Sequence, residues 1–148
     1  MTSNPIVIKY KALHPSAKAP EKAYETDAGF DLFSVRTFKI NGNFMGLIPT
    51  GIAVDIPEGY YAQIRDRSGL ALAKTLQVKA GVIDSGYRGE IGVVMGNHGA
   101  YPIEIRKGDK VAQMIILPVP DVEFKKVGKL TKSPREKDGF GSTDKKEK

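Results

Sequence analysis

The chain has 148 residues, a formal net charge of +6 and no cysteine. This length fits one domain, and the absence of cysteine excludes disulfides, thiolate metal sites and a thiol nucleophile. Only two histidines are present, which argues against a histidine-rich zinc site. We expect no secretory signal, no membrane span and a cytoplasmic location, or the interior of a host cell if the source is viral, because a chain without disulfides suits a reducing compartment.

The positive charge is concentrated at one end of the chain. Residues 125–148 hold nine Lys or Arg and four Asp or Glu, so they account for nearly all of the net charge. A nucleic-acid-binding face needs clustered basic residues on a folded surface. We therefore expect no nucleic-acid partner for the body of the protein.

In chain order, apolar runs and turn residues predict β-structure. Asn41-Gly42-Asn43 is a strong hairpin signal, and one helix of one to two turns is expected at residues 70–74. Strands are expected where β-branched and aromatic residues lie between Gly, Pro and Asn turns, namely over residues 6–10, 38–40, 47–56, 60–65, 91–95, 101–105 and 111–119.

This pattern predicts an all-β protein. Many short strands with Gly and Pro turns are typical of a sandwich, jelly roll or barrel. We expect one such β domain, with one short helix, over residues 1–127. The apolar pattern then stops, and the Lys-, Ser- and Gly-rich residues 128–148 predict a flexible C-terminal arm.

Two short segments in the body suggest phosphate binding or acid–base chemistry. Ser68-Gly69 opens the predicted helix, where backbone N–H groups and a hydroxyl suit a phosphate. On its own, however, the segment favours an ordinary helix cap at Ser68. Asp84 ends an apolar run before Ser85-Gly86-Tyr87. Its carboxylate could hold a water as a general base, and it could equally make a hairpin turn.

Three further segments carry less specific signals. Asp31 lies in Ala28-Gly29-Phe30-Asp31-Leu32, which on its own indicates the start of a strand. Gln113 lies in a strongly apolar strand, where a buried amide needs hydrogen-bond partners unless it faces solvent or an interface. In the tail, Phe140 stands among glycines and hydroxyls that could reach phosphates, although the composition alone favours a disordered tail.

Taken together, the segments AGFDLFS, DRSGLA, AGVIDSGYRGE, GDKVAQMI and GFGST resemble, in order and spacing, the five motifs of the trimeric dUTPase family. The resemblance runs from about Ala28 to Thr143. It implies a jelly-roll-like homotrimer with active sites between subunits, closed by the C-terminal arm. It also implies the use of Mg²⁺ and the hydrolysis of dUTP to dUMP and pyrophosphate, which limits uracil incorporation into DNA and supplies dUMP for thymidylate synthesis.

The resemblance also assigns roles to residues. Asp84 matches the carboxylate that positions the attacking water, and Asp31 matches a carboxylate linked to magnesium through water. Uracil is expected at the backbone of the hairpin near residues 76–81, and Tyr87 matches the ring that packs on the deoxyribose and excludes a 2′-hydroxyl. The substrate-binding residues implied in this way are Arg67, Ser68, Gly69, Gly81, Tyr87, Gln113, Arg135, Phe140, Gly141, Ser142 and Thr143.

The arm departs from the family pattern. Glu136, Asp138 and Asp144 occupy positions where the family usually has glycine, and added carboxylates near a polyanion should weaken closure of the arm.

Two alternatives remain open at this point. The related dCTP deaminases carry an acid/base glutamate where this chain has Val94. A nucleotide-responsive regulatory module is the non-enzymatic alternative.

Overall fold

The computed structural model describes residues 5–134. Over that range the chain forms eleven strands and one short helix, which confirms the all-β prediction. In chain order they are β1 (Lys9–Ala12), β2 (Phe30–Phe33), β3 (Phe38–Ile40), β4 (Met45–Pro49), β5 (Ile52–Asp55), β6 (Tyr60–Arg65), α1 (Ser68–Lys74), β7 (Leu76–Val78), β8 (Val82–Ile83), β9 (Gly92–Asn97), β10 (Ile103–Ile105) and β11 (Lys110–Pro118).

The strands pair antiparallel in two larger sheets and two small ones. One sheet has the order β2-β11-β6-β8, another has the order β4-β9-β7, and β1 pairs with β5 as β10 pairs with β3. The long strand β11 is central, and it places Gln113 opposite Asp31 on one side and Arg65 on the other. This register brings polar residues from three distant parts of the chain to one end of the four-stranded sheet.

A single apolar core joins these sheets, and every sheet contributes buried residues to it. This arrangement confirms the expected jelly-roll-like architecture. The buried apolar residues of the core include Leu32, Ala62, Ile64, Val111 and Met114 from the four-stranded sheet, Ile48, Leu76, Val93 and Met95 from the three-stranded sheet, and Ile40, Ile52, Val54 and Ile105 from the small sheets.

The predicted strand over residues 47–56 is in fact two strands. Gly51 lies between β4 and β5 with φ +68°, a left-handed conformation that glycine adopts without steric cost. The neighbouring Thr50 is buried, and its hydroxyl donates to the carbonyl of Ile91 at 2.6 Å. The break therefore sends β4 and β5 into different sheets.

The turn at Asn41-Gly42-Asn43 exists, but the hairpin prediction is wrong. β3 pairs with β10 and β4 pairs with β9, rather than with each other. The backbone N–H of Asn43 donates to Gly99, and a Cβ on Gly42 would lie 2.2 Å from the carbonyl oxygen of Ala100. The loop after β9 thus holds this turn in place, and the turn does not pair β3 with β4.

Several boundaries also differ from the prediction. The first strand lies at residues 9–12 rather than 6–10, and α1 begins two residues earlier than expected. Strands β7 and β8 have three and two residues, which is too short for a period of two to be recognised. No helix within residues 5–134 is long and apolar enough to cross a membrane.

Candidate active site

Three clefts hold the body residues that the sequence singled out. The loop cleft contains Asp31, Arg67, Ser68, Gly69 and Gln113. The hairpin cleft, named for the hairpin expected near residues 76–81, lies beside β6 and the segment that joins β7 to β8, and it includes Gly81. The expected hairpin is not formed, because β7 pairs with β9 and β8 pairs with β6. The turn cleft contains Asp84 and Tyr87.

Asp31 is the charged centre of the loop cleft. It is almost fully buried on β2, with Oδ1 3.0 Å from Nε of Arg67 and Oδ2 2.7 Å from Nζ of Lys110. Such charge-assisted contacts fix the guanidinium, because a buried carboxylate needs partners. Arg67 is therefore held at the cleft rather than free in solvent.

This pairing bears on the expected magnesium contact. Both carboxylate oxygens of Asp31 already have cationic partners, so the residues present do not fit a directly bound metal at this position. Within residues 5–134, no group of three His, Cys, Asp or Glu side chains could hold a metal ion. A contact from Asp31 to magnesium through water stays a prediction.

Gln113 supports the segment that carries Arg67 and Ser68. It is half-buried, and its Nε2 donates to the backbone carbonyl of Asp66 at 2.8 Å. A Cβ on Gly29 would lie only 2.3 Å from Oε1 of Gln113, so the glycine of the first motif leaves room for this amide. The unexpected polar residue in an apolar strand thus has a structural partner as well as a place in the loop cleft.

Ser68 is not the helix cap that the alternative interpretation required. The cap position of α1 is Arg67, which makes no side-chain capping bond, and Ser68 is the first residue of the helix. Ser68 and Gly69 are both exposed at the cleft. Their hydroxyl and first-turn N–H groups are thus available to an anion, since the first N–H groups of a helix have no partner within it.

The hairpin cleft is built from backbone. The N–H of Ile64 donates to the carbonyl of Gly81 at 2.7 Å, and Gly81 has φ +132° with Ile64 close by, so a Cβ there would lie 2.6 Å from the carbonyl oxygen of Ile64. Ala80 also has a left-handed φ of +61°. Glycine at position 81 is therefore required by both conformation and space.

Asp66 connects the hairpin cleft to the loop cleft, a role that sequence reasoning missed. Its Oδ1 accepts a short hydrogen bond from the backbone N–H of Val78 on β7, and its backbone carbonyl accepts the Gln113 amide. No local pattern points to this residue, because both partners are distant in the chain. Position 66 lies directly before Arg67, which is the only signal available.

The turn cleft has a volume of about 480 Å³, which suits a small-molecule ligand. The backbone N–H of Tyr87 donates to the carbonyl of Asp84 at 3.1 Å, so the segment is a turn. Within residues 5–134, however, no hydrogen bond or ion pair engages the Asp84 carboxylate, which is exposed. An acid without a structural partner beside an aromatic ring is suited to act on a bound ligand.

The Tyr87 ring has a defined position. Its hydroxyl donates to the carbonyl of Glu90 at 2.9 Å, and Glu90 in turn accepts the backbone N–H of Gly51 at 2.7 Å. The sequence carried no signal for this role of Glu90. Arg36, Leu47 and Pro49 complete the wall of the cleft.

Asp84 and the predicted phosphate ligands line different clefts of one chain. The loop and turn clefts share no lining residue. The predicted arm residues Arg135, Phe140, Gly141, Ser142 and Thr143 lie outside the described residues.

A comparison with known protein families matches residues 15–144 to the dUTPase family. Among curated proteins, the chain is 48% identical over 140 residues to a deoxyuridine 5′-triphosphate nucleotidohydrolase of Clostridium tetani, covering 93% of this chain and 97% of that protein. It is also 48% identical over 138 residues to the protein of the same name from Alkaliphilus metalliredigens, covering 92% and 96%.

Solved structures agree with these sequence comparisons. A variant dUTPase of Staphylococcus bacteriophage 80alpha, solved with dUpNHpp, superposes with a TM-score of 0.87 at 30% identity, covering 93% of this chain and 98% of that chain. A variant dUTPase of phage phi11 of S. aureus, in which a structural Mg(II) ion is coordinated, superposes with a TM-score of 0.79 at 31% identity, covering 83% and 97%.

Proposed function

Because the chain belongs to the dUTPase family, we propose that it hydrolyses dUTP to dUMP and pyrophosphate. Each active site would combine the hairpin and turn clefts of one protomer with the loop cleft of another. The reaction follows from the family and from relatives named for it. The observation that carries our assignment of residues is the Asp84 carboxylate, which lacks a partner within the described residues and faces the turn cleft. Its product, dUMP, would feed thymidylate synthesis, and removal of dUTP would limit uracil in DNA.

Asp84 is the proposed catalytic residue. Its carboxylate orients a water and takes its proton as the water attacks the α-phosphorus in line, so that an oxygen–phosphorus bond forms while the bond to pyrophosphate breaks. A general base must be free to accept a proton, which is why the unpaired state of this carboxylate matters.

The base and the sugar are assigned to neighbouring clefts. The backbone of the segment that joins β7 to β8, including Gly81, would read the edge of uracil, since this segment lines the cleft beside β6. The Tyr87 ring would pack on the deoxyribose. Its position is held by the hydrogen bond to Glu90, and a ribose 2′-hydroxyl would collide with it.

The phosphates are assigned to the loop cleft of a second copy of the chain. Arg67, held by Asp31, and the exposed Ser68 and Gly69 offer a cation, a hydroxyl and backbone donors. Preorganised donors of this kind stabilise charge that develops in the transition state. Since the loop and turn clefts are separate in one chain, a homotrimer with shared sites explains how one ligand reaches both.

The arm is proposed to close over the bound nucleotide. Phe140 would cover uracil, Arg135 would pair with a phosphate, and Gly141, Ser142 and Thr143 would donate to the γ-phosphate. Such closure excludes water from the phosphates. The carboxylates at positions 136, 138 and 144 would make this closure weaker than that of a glycine-rich arm.

Magnesium is the proposed cofactor, in keeping with the Mg(II) ion of the phi11 protein. A bound ion would supply positive charge that neutralises the phosphates. Because the loop cleft does not fit a directly coordinated metal, no step of the proposal depends on one. We propose a cytoplasmic or host-cell location, with no nucleic-acid or membrane partner.

The substitution Asp84→Asn tests the assignment. We expect the single-turnover rate with dUTP to fall by about 10²–10⁴, because that is the usual contribution of a general base. Thermal unfolding of the variant serves as the folding control. A rate within about threefold of the unchanged protein would contradict the assignment of the base.

Substrate specificity is tested with the unchanged protein. Pyrophosphate release should occur with dUTP and not with UTP, dTTP or dCTP, and ammonia release from dCTP should be absent. Ammonia release would instead support the deaminase alternative.

A further inference from the structure

The turn that carries Asp84 and Tyr87 is held from outside by one side chain, Arg88. Its Nη1 donates to the backbone carbonyls of Ser85 and Tyr87, the latter at 3.1 Å. Its Nη2 donates to Oδ1 of Asp55 at 2.6 Å. One guanidinium thus joins two carbonyls of the turn to a carboxylate 33 positions away in the chain.

Within the described chain, strand pairing stops just before the turn, because Ile83, which precedes Asp84, is the last residue of β8 to pair with β6. Strand β8 ends at Ile83, and the backbone closes the turn with one hydrogen bond, from Tyr87 to Asp84. Gly86 lies between these two residues, and glycine adds conformational freedom. The guanidinium supplies contacts that the backbone of the turn does not.

Asp55 offers a rigid anchor for this contact. It is the last residue of β5, whose preceding residues Ile52, Ala53 and Val54 are buried. The far end of the turn has its own anchor, because Ile91 donates to Ile52 and Glu90 accepts from Gly51. Arg88 therefore attaches the middle of the turn to the end of β5, whereas Glu90 and Ile91 attach its far end to Gly51 and Ile52.

We propose that Arg88, paired with Asp55, is a positioning residue that holds the Asp84 carboxylate and the Tyr87 ring in a fixed relation. The inference rests on the proposed function, since it gives these two groups their roles in dUTP hydrolysis. Arg88 touches neither the water nor the phosphorus; it acts through the backbone of the turn. A lysine could not replace it fully, because an ammonium lacks the planar set of donors that reaches several acceptors.

If Arg88 had only a structural role, its loss would lower catalysis only as far as it destabilised the fold. The Arg88 and Asp55 side chains are 55% and 45% exposed, and exposed ion pairs contribute little to stability. Loss of the pair should therefore leave thermal unfolding almost unchanged. A positioning role should instead lower catalysis and selectivity, since a small displacement of a reacting group is costly.

The experiment compares Arg88→Ala, Arg88→Lys and Asp55→Asn with Arg106→Ala. Arg106 is a matched control, because it makes a similar exposed ion pair with Glu104 at 3.2 Å and lies outside the three clefts. We expect Arg88→Ala to lower kcat for dUTP by about tenfold or more and to lower the preference for dUTP over UTP. Arg88→Lys and Asp55→Asn should be intermediate, and Arg106→Ala should match the unchanged protein.

Hydrogen–deuterium exchange of the peptide covering residues 84–91 gives a readout that does not depend on activity. Arg88→Ala should increase exchange there and leave exchange elsewhere unchanged. Kinetics of Arg88→Ala within about twofold of those of Arg106→Ala would overturn the inference, as would unchanged exchange in this peptide. If the unchanged protein does not hydrolyse dUTP, the proposed function fails, and the exchange measurement alone decides whether Arg88 holds the turn.

Discussion

Asp31 shows how a single buried carboxylate can be interpreted in two ways. The family resemblance implies a contact to magnesium through water, whereas the structure pairs its two oxygens with Arg67 and Lys110. A carboxylate that neutralises two cations attracts a third cation less strongly. The geometry therefore favours a role in holding Arg67 at the loop cleft.

The substitution Asp31→Asn separates these two roles. Removing the charge leaves two partly buried cations facing a neutral amide that has only one acceptor oxygen, which should destabilise the protein by about 1.5–3 kcal/mol and lower its Tm at a fixed protein concentration. If Asp31 acts through Arg67, the magnesium concentration that gives half-maximal activity should stay the same. An increase of about 10–100-fold would show instead that Asp31 supports the metal.

At the scale of one element, the turn between β8 and β9 depends on Gly89 as well as on Arg88. A Cβ at Gly89 would lie 2.4 Å from Oη and 2.6 Å from Cζ of Tyr87. Real Cβ atoms do not approach so closely, so the ring would have to move. Gly89 thus allows the Tyr87 ring to fold back over its own turn.

Gly89→Ala should therefore relax sugar selectivity. With the ring displaced, we expect the ratio of kcat/KM for dUTP to that for UTP to fall by about tenfold or more, with a smaller change in kcat for dUTP. Gly86→Ala is a control in the same turn, because a Cβ there would meet nothing within 4 Å. Equal ratios in the two variants would show that the ring position does not set the preference.

At the scale of the whole molecule, the separation of the turn cleft from the loop cleft makes a prediction about assembly. A homotrimer that shares its sites would join Asp84 of one protomer to Ser68 of another. Asp84→Asn and Ser68→Ala chains, each inactive alone, should then complement each other after being unfolded and refolded together. Random mixing in equal amounts should restore about one quarter of the sites.

Complementation is measured as dUTP hydrolysis by the refolded mixture. Each variant refolded alone is the control for residual activity. If both residues served one site within a single chain, the mixture would be no more active than the two variants measured separately, and the shared-site proposal would be abandoned.

Local patterns in the sequence determined the β class, the short helix and the polar residues of the motifs. The alternation of apolar residues and the Gly, Pro and Asn residues of turns are local signals, each spanning only a few residues. They can therefore be recognised without knowledge of the partner strand. This is why Asp84 could be placed in a turn and Ser68 at the start of the helix. The dUTPase family also followed from motif order and spacing, which depend on the sequence alone.

Only the tertiary structure decided which segments meet. The turn at Asn41-Gly42-Asn43 does not pair β3 with β4, because each of these strands pairs with a strand distant in the chain. The same holds for the attachment of Gln113 to Asp66 and of Arg88 to Asp55. Such contacts depend on the register between remote strands, and no local spacing encodes that register.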